Sequence, residues 1–170
     1  PRMIYGADPS WEWHPYLSWS DEERCMIHDF MAKLPRNKKT IMLETFAGSG
    51  QSQYWDEKTT RKIMAICREK LGTCNFVFAS HAHKGGVDNI GIPNSLFFDD
   101  EGCVSCEQFT VRQTALINDY CDLIVCMSSG ISVATSAWEL KTVPKIQFCG
   151  SKKCSTVALA NGRIDLITTD

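Results

Sequence analysis

The sequence has no apolar run beyond a few residues, no block of Lys or Arg, no charged-then-apolar opening segment and no low-complexity stretch or internal repeat. The first absence excludes a membrane-spanning helix, which needs about 20 consecutive apolar residues. The second argues against a general nucleic-acid binder, and the net charge of −2 agrees. The third leaves no sign of a secretory leader. Two common phosphate-loop signatures are also missing: no Gly-Lys-Ser/Thr follows a glycine loop, and no Gly-x-Gly-x-x-Gly occurs.

What is present is an ordinary globular composition, 44% hydrophobic and 22% charged over 170 residues. This length suits one domain or one half of a larger protein, and can bury about 70% of its unfolded surface without a staple. The chain opens on Pro1 rather than Met, which reads as a cut start or a fragment. Cysteine is plentiful, with nine residues: Cys25, Cys67, Cys74, Cys103, Cys106, Cys121, Cys126, Cys149 and Cys154. Most lie in apolar strand or helix patterns, where a thiol behaves as a small hydrophobe. An odd count without a leader points to reduced thiols and a cytoplasmic location.

Along the chain, residues 1–19 carry Tyr5, Trp11, Trp13, Tyr16 and Trp19 with three prolines and no period, and read as an aromatic-rich arm or linker. Residues 20–170 read as the folded domain. Ser20 and Glu23 have the spacing of a capping box, and Met26, Ile27, Phe30, Met31 and Leu34 then form a helical stripe that Pro35 stops. Strands are predicted at 40–44, 75–80, 95–98, 123–127, 144–148 and 164–167. Helices are predicted at 56–71, 111–120 and 132–140, the first ending at Gly72 with Leu71 on its buried side. Strands alternating with single helices predict an α/β fold, a Rossmann-like parallel sheet with helices on both faces.

The most informative stretch is Ser128-Ser129-Gly130-Ile131-Ser132, which follows the apolar strand 123–127 and opens a small-residue helix. A strand that runs into a glycine turn and a helix start presents backbone N–H groups and serine hydroxyls, the makings of an anion site. At the carboxyl end of a parallel strand this predicts a phosphate-bearing ligand. The loop Gly48-Ser49-Gly50 after the first strand is its expected partner, because glycine lets backbone approach a phosphate closely.

The order of strand, Gly/Ser loop, Gln53-Tyr54-Trp55-Asp56, helix, strand, then Ser128-Ser129-Gly130-Ile131-Ser132-Val133 and Pro144 to Gly150 resembles the C-terminal, donor-binding half of GT-B glycosyltransferases, closest to the heptosyltransferase-like group. The resemblance covers residues 38–155. It implies a single half of a GT-B fold that binds a nucleotide-diphosphate sugar. It further implies inverting, metal-independent transfer in cell-surface polysaccharide biosynthesis, with no cofactor and with the general base on an N-terminal acceptor-binding half. Gln53 stands where the family carries lysine, Ser128 where it carries aspartate, and Val133 where it carries histidine.

On this reading the donor phosphates meet Gly48, Ser49, Gly50, His81, Ser128, Ser129, Gly130 and Ser132, with Glu107 and Lys152 nearer the nucleoside. His83 and Lys84 share the loop of His81, and Gln108 and Arg112 share the region of Glu107. Two other readings stay open. One is a nucleotide-binding or regulatory module on the same fold without turnover. The other is an interaction domain in which Cys103 and Cys106 hold zinc, although one Cys-x-x-Cys pair supplies only two of the four ligands that a structural site wants. No metal site is otherwise expected.

Overall fold

The structure, a computed structural model, describes residues 16–47, 53–79, 102–127, 129–137, 139–149 and 164–168. In chain order the elements are helix α1 (Asp21–Met31), strands β1 (Lys39–Leu43), β2 (Phe46–Ala47) and β3 (Gln53–Tyr54), helix α2 (Glu57–Leu71), strands β4 (Cys74–Phe78) and β5 (Cys103–Ser105), and helix α3 (Val111–Leu116) with a 3₁₀ turn (Ile117–Tyr120). Strand β6 (Leu123–Met127), helix α4 (Gly130–Ala134), β7 (Lys145–Cys149) and β8 (Ile164–Thr168) complete the set.

Six strands form one sheet in the order β5-β4-β1-β6-β7-β8, every pair parallel. From β1 the chain winds outward to β4 and β5, then returns to place β6 on the other side of β1. The winding therefore reverses between β1 and β6, the topological switch point of a doubly wound sheet.

Alternation along the strands divides the core. Ile41, Leu43, Phe76, Phe78, Val125 and Met127 face α2, packing with Met64 and Cys67. Met42, Val77, Ile124 and Cys126 face the other way, onto Ile27 and Met31 of α1, Ala115 and Leu116 of α3, and Ile131 of α4. Helices thus cover both faces, as the alternating pattern predicts.

The helix ends follow local chemistry. Ser20 and Glu23 form the expected capping box, and Asp56 caps α2 by accepting from the Thr59 N–H. Gly72 ends α2 at φ 84°, a conformation that favours glycine. Thr110 and Gln113 form a second capping box, which starts α3 at Val111.

Several expectations need correction. Leu71 is 43% exposed rather than buried. The loop expected after β1 contains a small antiparallel ladder, Phe46 opposite Tyr54 and Ala47 opposite Gln53. The strand expected at 95–98 lies outside the described residues, and the third strand on that side of the sheet is β5, which pairs Cys103 with Phe76 and Ser105 with Phe78. The helix expected at 132–140 is short and starts earlier. Its Ser132 carbonyl accepts from Thr135 Oγ1, Ser136 Oγ and Lys145 Nζ. The Ser136 N–H consequently turns to Val133 O and the Ala137 N–H to Ala134 O, the tighter 3₁₀ spacing.

Of the aromatic arm, residues 1–15 lie outside the described residues. Tyr16 is 80% exposed, whereas Trp19 is buried and donates from Nε1 to Arg112 O at 2.7 Å.

Candidate functional site

The switch point brings the end of β1 against the turn after β6. The Glu44 N–H donates to Val125 O at 2.9 Å, continuing the β1–β6 ladder one residue past β1. Thr45 O then accepts from the Trp55 N–H at 2.9 Å, which closes the small ladder, and Trp55 packs edge-on against Phe148 with ring centroids 5.2 Å apart. On the β6 side Ser129 is the N-cap of α4 in extended conformation, φ −143° and ψ 173°.

The serines of this turn satisfy one another. Ser129 Oγ accepts from Ile131 N–H at 3.1 Å and Ser132 N–H at 3.2 Å, while Ser132 Oγ accepts from Ser129 N–H at 3.1 Å. The Ser129, Ile131 and Ser132 N–H groups, which the sequence leaves open for an anion, are therefore held by hydroxyls. Gly130 is exposed at the first helical position, and a Cβ added to it meets nothing within 4 Å.

Beneath the turn lies a polar layer that sequence reasoning missed. Glu44 is 1% exposed and accepts from the Ser129 hydroxyl on Oε1 in a close contact, while its Oε2 has no hydrogen-bond partner. Burial pushes its carboxyl up to about 8, against the pull of the Ser129 hydroxyl, the Lys145 charge and the Met127 amide. Lys145 is 6% exposed and donates to Ser132 O at 2.8 Å and to Ser136 Oγ. Burial lowers its ammonium to about 8, opposed by Cys126 and Glu44. Gln147 is buried on the same face. The available signal was a glutamate ending an apolar strand, together with Lys145 and Gln147 alternating with Ile146 and Phe148.

Of the residues expected at the site, the structure brings together Ser129, Gly130 and Ser132. Gly48, Ser49, Gly50, His81, His83, Lys84, Ser128 and Lys152 lie outside the described residues. Glu107 is exposed in the turn after β5, its N–H donating to Ser105 Oγ, with β4 and β1 between it and the Ser129 turn. Arg112 is engaged elsewhere, binding Ser18 O and Glu23 and so tying the segment before α1 to α3.

Cys103 packs in the α2-side core and Cys106 in the core on the opposite face, so the two thiols cannot share one ion. Among the described residues no three His, Cys, Asp or Glu side chains gather as a metal set. A cavity of about 320 Å³ opens at the other end of the sheet, between His28, Arg36, Lys38, Asn75, Tyr120 and Asp122, away from the switch point.

No protein-family model matches the sequence, and no curated protein matches it. Two solved structures share the fold. One is the glycosyl transferase family 9 protein from Veillonella parvula DSM 2008, with TM-score 0.66 and 14% identity, over 91% of this chain and 43% of that one. The other is the E. coli ADP-heptose lps heptosyltransferase II, with TM-score 0.65 and 16% identity, over 94% of this chain and 46% of that one. The fold is the Rossmann-like parallel α/β sheet that forms one half of the GT-B architecture.

The chain spans less than half the length of either structure. Its Rossmann-like half carries the switch-point turn built from Ser129, Gly130 and Ser132. No helix among the described residues is long and apolar enough to cross a membrane.

Proposed function

We propose that this chain is the donor-binding half of a glycosyltransferase, holding a nucleotide-diphosphate sugar for inverting, metal-independent transfer. The observation that carries the reading is the position of the Ser129–Ser132 turn, at the β1–β6 switch point of a sheet with glycosyltransferase topology. The diphosphate sits against Ser128, Ser129, Gly130 and Ser132, faced by Gly48, Ser49, Gly50 and His81. Glu107 and Lys152 lie toward the nucleoside. Hydroxyls and backbone N–H groups neutralise the departing nucleoside diphosphate. The acceptor and the general base that deprotonates it belong to a companion half. In that setting the protein works in the cytoplasm on cell-surface polysaccharide precursors.

Gly130→Phe tests this reading. Gly130 is exposed and a Cβ added to it meets nothing within 4 Å, so far-UV circular dichroism and thermal midpoint should match the parent while binding of nucleotide-diphosphate sugars is abolished. Unchanged affinity in a folded variant sinks the assignment.

Gln53, Ser128 and Val133 favour a second reading, a nucleotide-binding module without turnover, since each replaces a charged or titratable residue of the resembling enzymes. Donor binding without hydrolysis or transfer, measured with the companion half present, selects the module.

A further inference from the structure

Glu44 is a buried acid that donor binding as described above does not use. Its carboxyl touches the hydroxyl that closes the Ser129 turn, and its second oxygen has no partner, although the side chain is almost wholly buried. An ionised carboxylate here sets a full negative charge within one hydroxyl of the place where the strand order puts a phosphate. In a water-poor site that repulsion is strong. A neutral carboxyl removes the charge and gives the side chain an O–H donor in place of an unpartnered acceptor.

The groups acting on Glu44 come from the neighbouring strands and the turn. They are Ser129 from the turn, the Met127 amide from β6 and the Lys145 ammonium from β7; Cys126 of β6 acts in turn on Lys145. No titratable group of α1 or α3 acts on it, although both helices pack on this face of the sheet.

We propose that Glu44 is a positioning residue for an anionic phosphoryl ligand: it holds the Ser129 hydroxyl in the turn and carries a proton whenever the ligand is bound. The inference rests on the donor-binding reading. The coupled step balances simply: carboxylate, one proton from solvent and the ligand give a neutral carboxyl beside the bound ligand. In the free protein burial already raises the group to about 8. Binding below about pH 7 therefore finds Glu44 neutral, whereas proton uptake on binding is about one half at about pH 8 and approaches one by about pH 9, where affinity falls toward tenfold per pH unit.

The test is calorimetric titration with a uridine, an adenosine and a guanosine diphosphate sugar, whose diphosphate charge is constant over this range. It runs from about pH 6 to about pH 9, in pairs of buffers with different ionisation heats, on the parent, Glu44→Gln and Lys145→Met. The expected result is proton uptake and falling affinity at high pH in the parent, and neither in Glu44→Gln, whose amide keeps an acceptor for Ser129 without the charge. A parent that binds with no proton uptake at high pH overturns the inference and leaves the donor reading standing. The same holds if the pH dependence survives in Glu44→Gln and vanishes in Lys145→Met, which makes Lys145 the coupled group. A parent that binds none of the three sugars overturns the donor reading, and the inference with it. If Glu44→Gln does not fold, a parent without proton uptake still overturns the inference, uptake that survives in Lys145→Met sustains it, and uptake that vanishes there overturns it.

Discussion

Replacing Glu44 by glutamine should alter how stability depends on pH more than it alters stability at any single pH. A glutamate ordinarily titrates near 4.5, and burial raises this one to about 8 in the folded protein. Between those values the folded state holds a proton that the unfolded state lacks, so stability falls as pH rises. The slope is about 1.4 kcal/mol per pH unit, and the whole interval costs about 5 kcal/mol, absent below pH 4.5 and fully incurred above pH 8. That is comparable with the entire stability of a marginal domain.

Lys145 works with the opposite sign at higher pH. Its ordinary value of 10.5 falls to about 8, so the unfolded state binds the extra proton between them and stability recovers as pH rises, by about 3 kcal/mol. Together the pair digs a trough in stability near pH 8. Attraction between the two charges, when both are ionised, makes these depths upper limits.

The assay is urea unfolding followed by tryptophan fluorescence, for which buried Trp19 and Trp55 are suitable reporters. The stability of Glu44→Gln minus that of the parent should grow by about 1.4 kcal/mol per unit from about pH 5 to about pH 8. Taking the difference cancels carboxylates such as Glu23, Asp56 and Asp122, whose values are lowered and which titrate alike in both proteins. Lys145→Met should flatten the alkaline limb instead. Parallel curves for the parent and Glu44→Gln refute the reasoning, because they mean that Glu44 ionises as it does in water.

Two glycines with positive φ provide a matched pair. Gly102→Ala, at φ 79°, puts a Cβ 2.9 Å from Asn75 Oδ1, so backbone strain and a clash should together cost about 2 kcal/mol or more. Gly72→Ala, at φ 84° in open space, should lose only the backbone term of about 1 kcal/mol; equal losses in thermal denaturation contradict the packing around β5. Thiol labelling should divide in time. Exposed Cys25 should react at once, whereas Cys106 and Cys121, whose thiols burial pushes up (Cys121 to about 12), should react no faster than the protein unfolds. Prompt labelling of Cys106 in the native protein contradicts its burial.

What could be read from the sequence divides along physical lines. Ser20 with Glu23, Asp56 and Gly72 declare helix ends by short-range hydrogen bonding and backbone freedom, and the structure places those ends within a residue of expectation. The apolar run 123–127 is legible because β6 is buried on both faces between two parallel neighbours. Strand β5 escaped because three residues at the edge, paired to β4 alone and only partly buried, carry no periodic signature. The serine turn was legible from its own chemistry. Glu44 and Lys145 were not, because a polar side chain in a strand ordinarily marks the face toward water. Here α4 closes over that face, and only the three-dimensional arrangement shows it.

The buried pair also explains why α4 is short, which ties the site to the fold. Lys145 reaches from the start of β7 to Ser132 O, a carbonyl that a longer helix needs for the N–H four residues on. Ser136 turns to Val133 instead, and the helix stops after Ala134. Glu44 reaches the same turn from the end of β1 through Ser129. Two strands, β1 and β7, thus converge on the Ser129–Ser132 turn by way of buried polar groups. An apolar replacement of such a pair is often neutral or stabilising, so its presence is not explained by stability alone. Departures from local rules of this kind concentrate at functional sites. Lys145→Met therefore separates the two roles: if the layer only fills space, the variant gains stability and binds as before. If it shapes the turn, α4 lengthens and affinity for the diphosphate sugar weakens at every pH without disappearing.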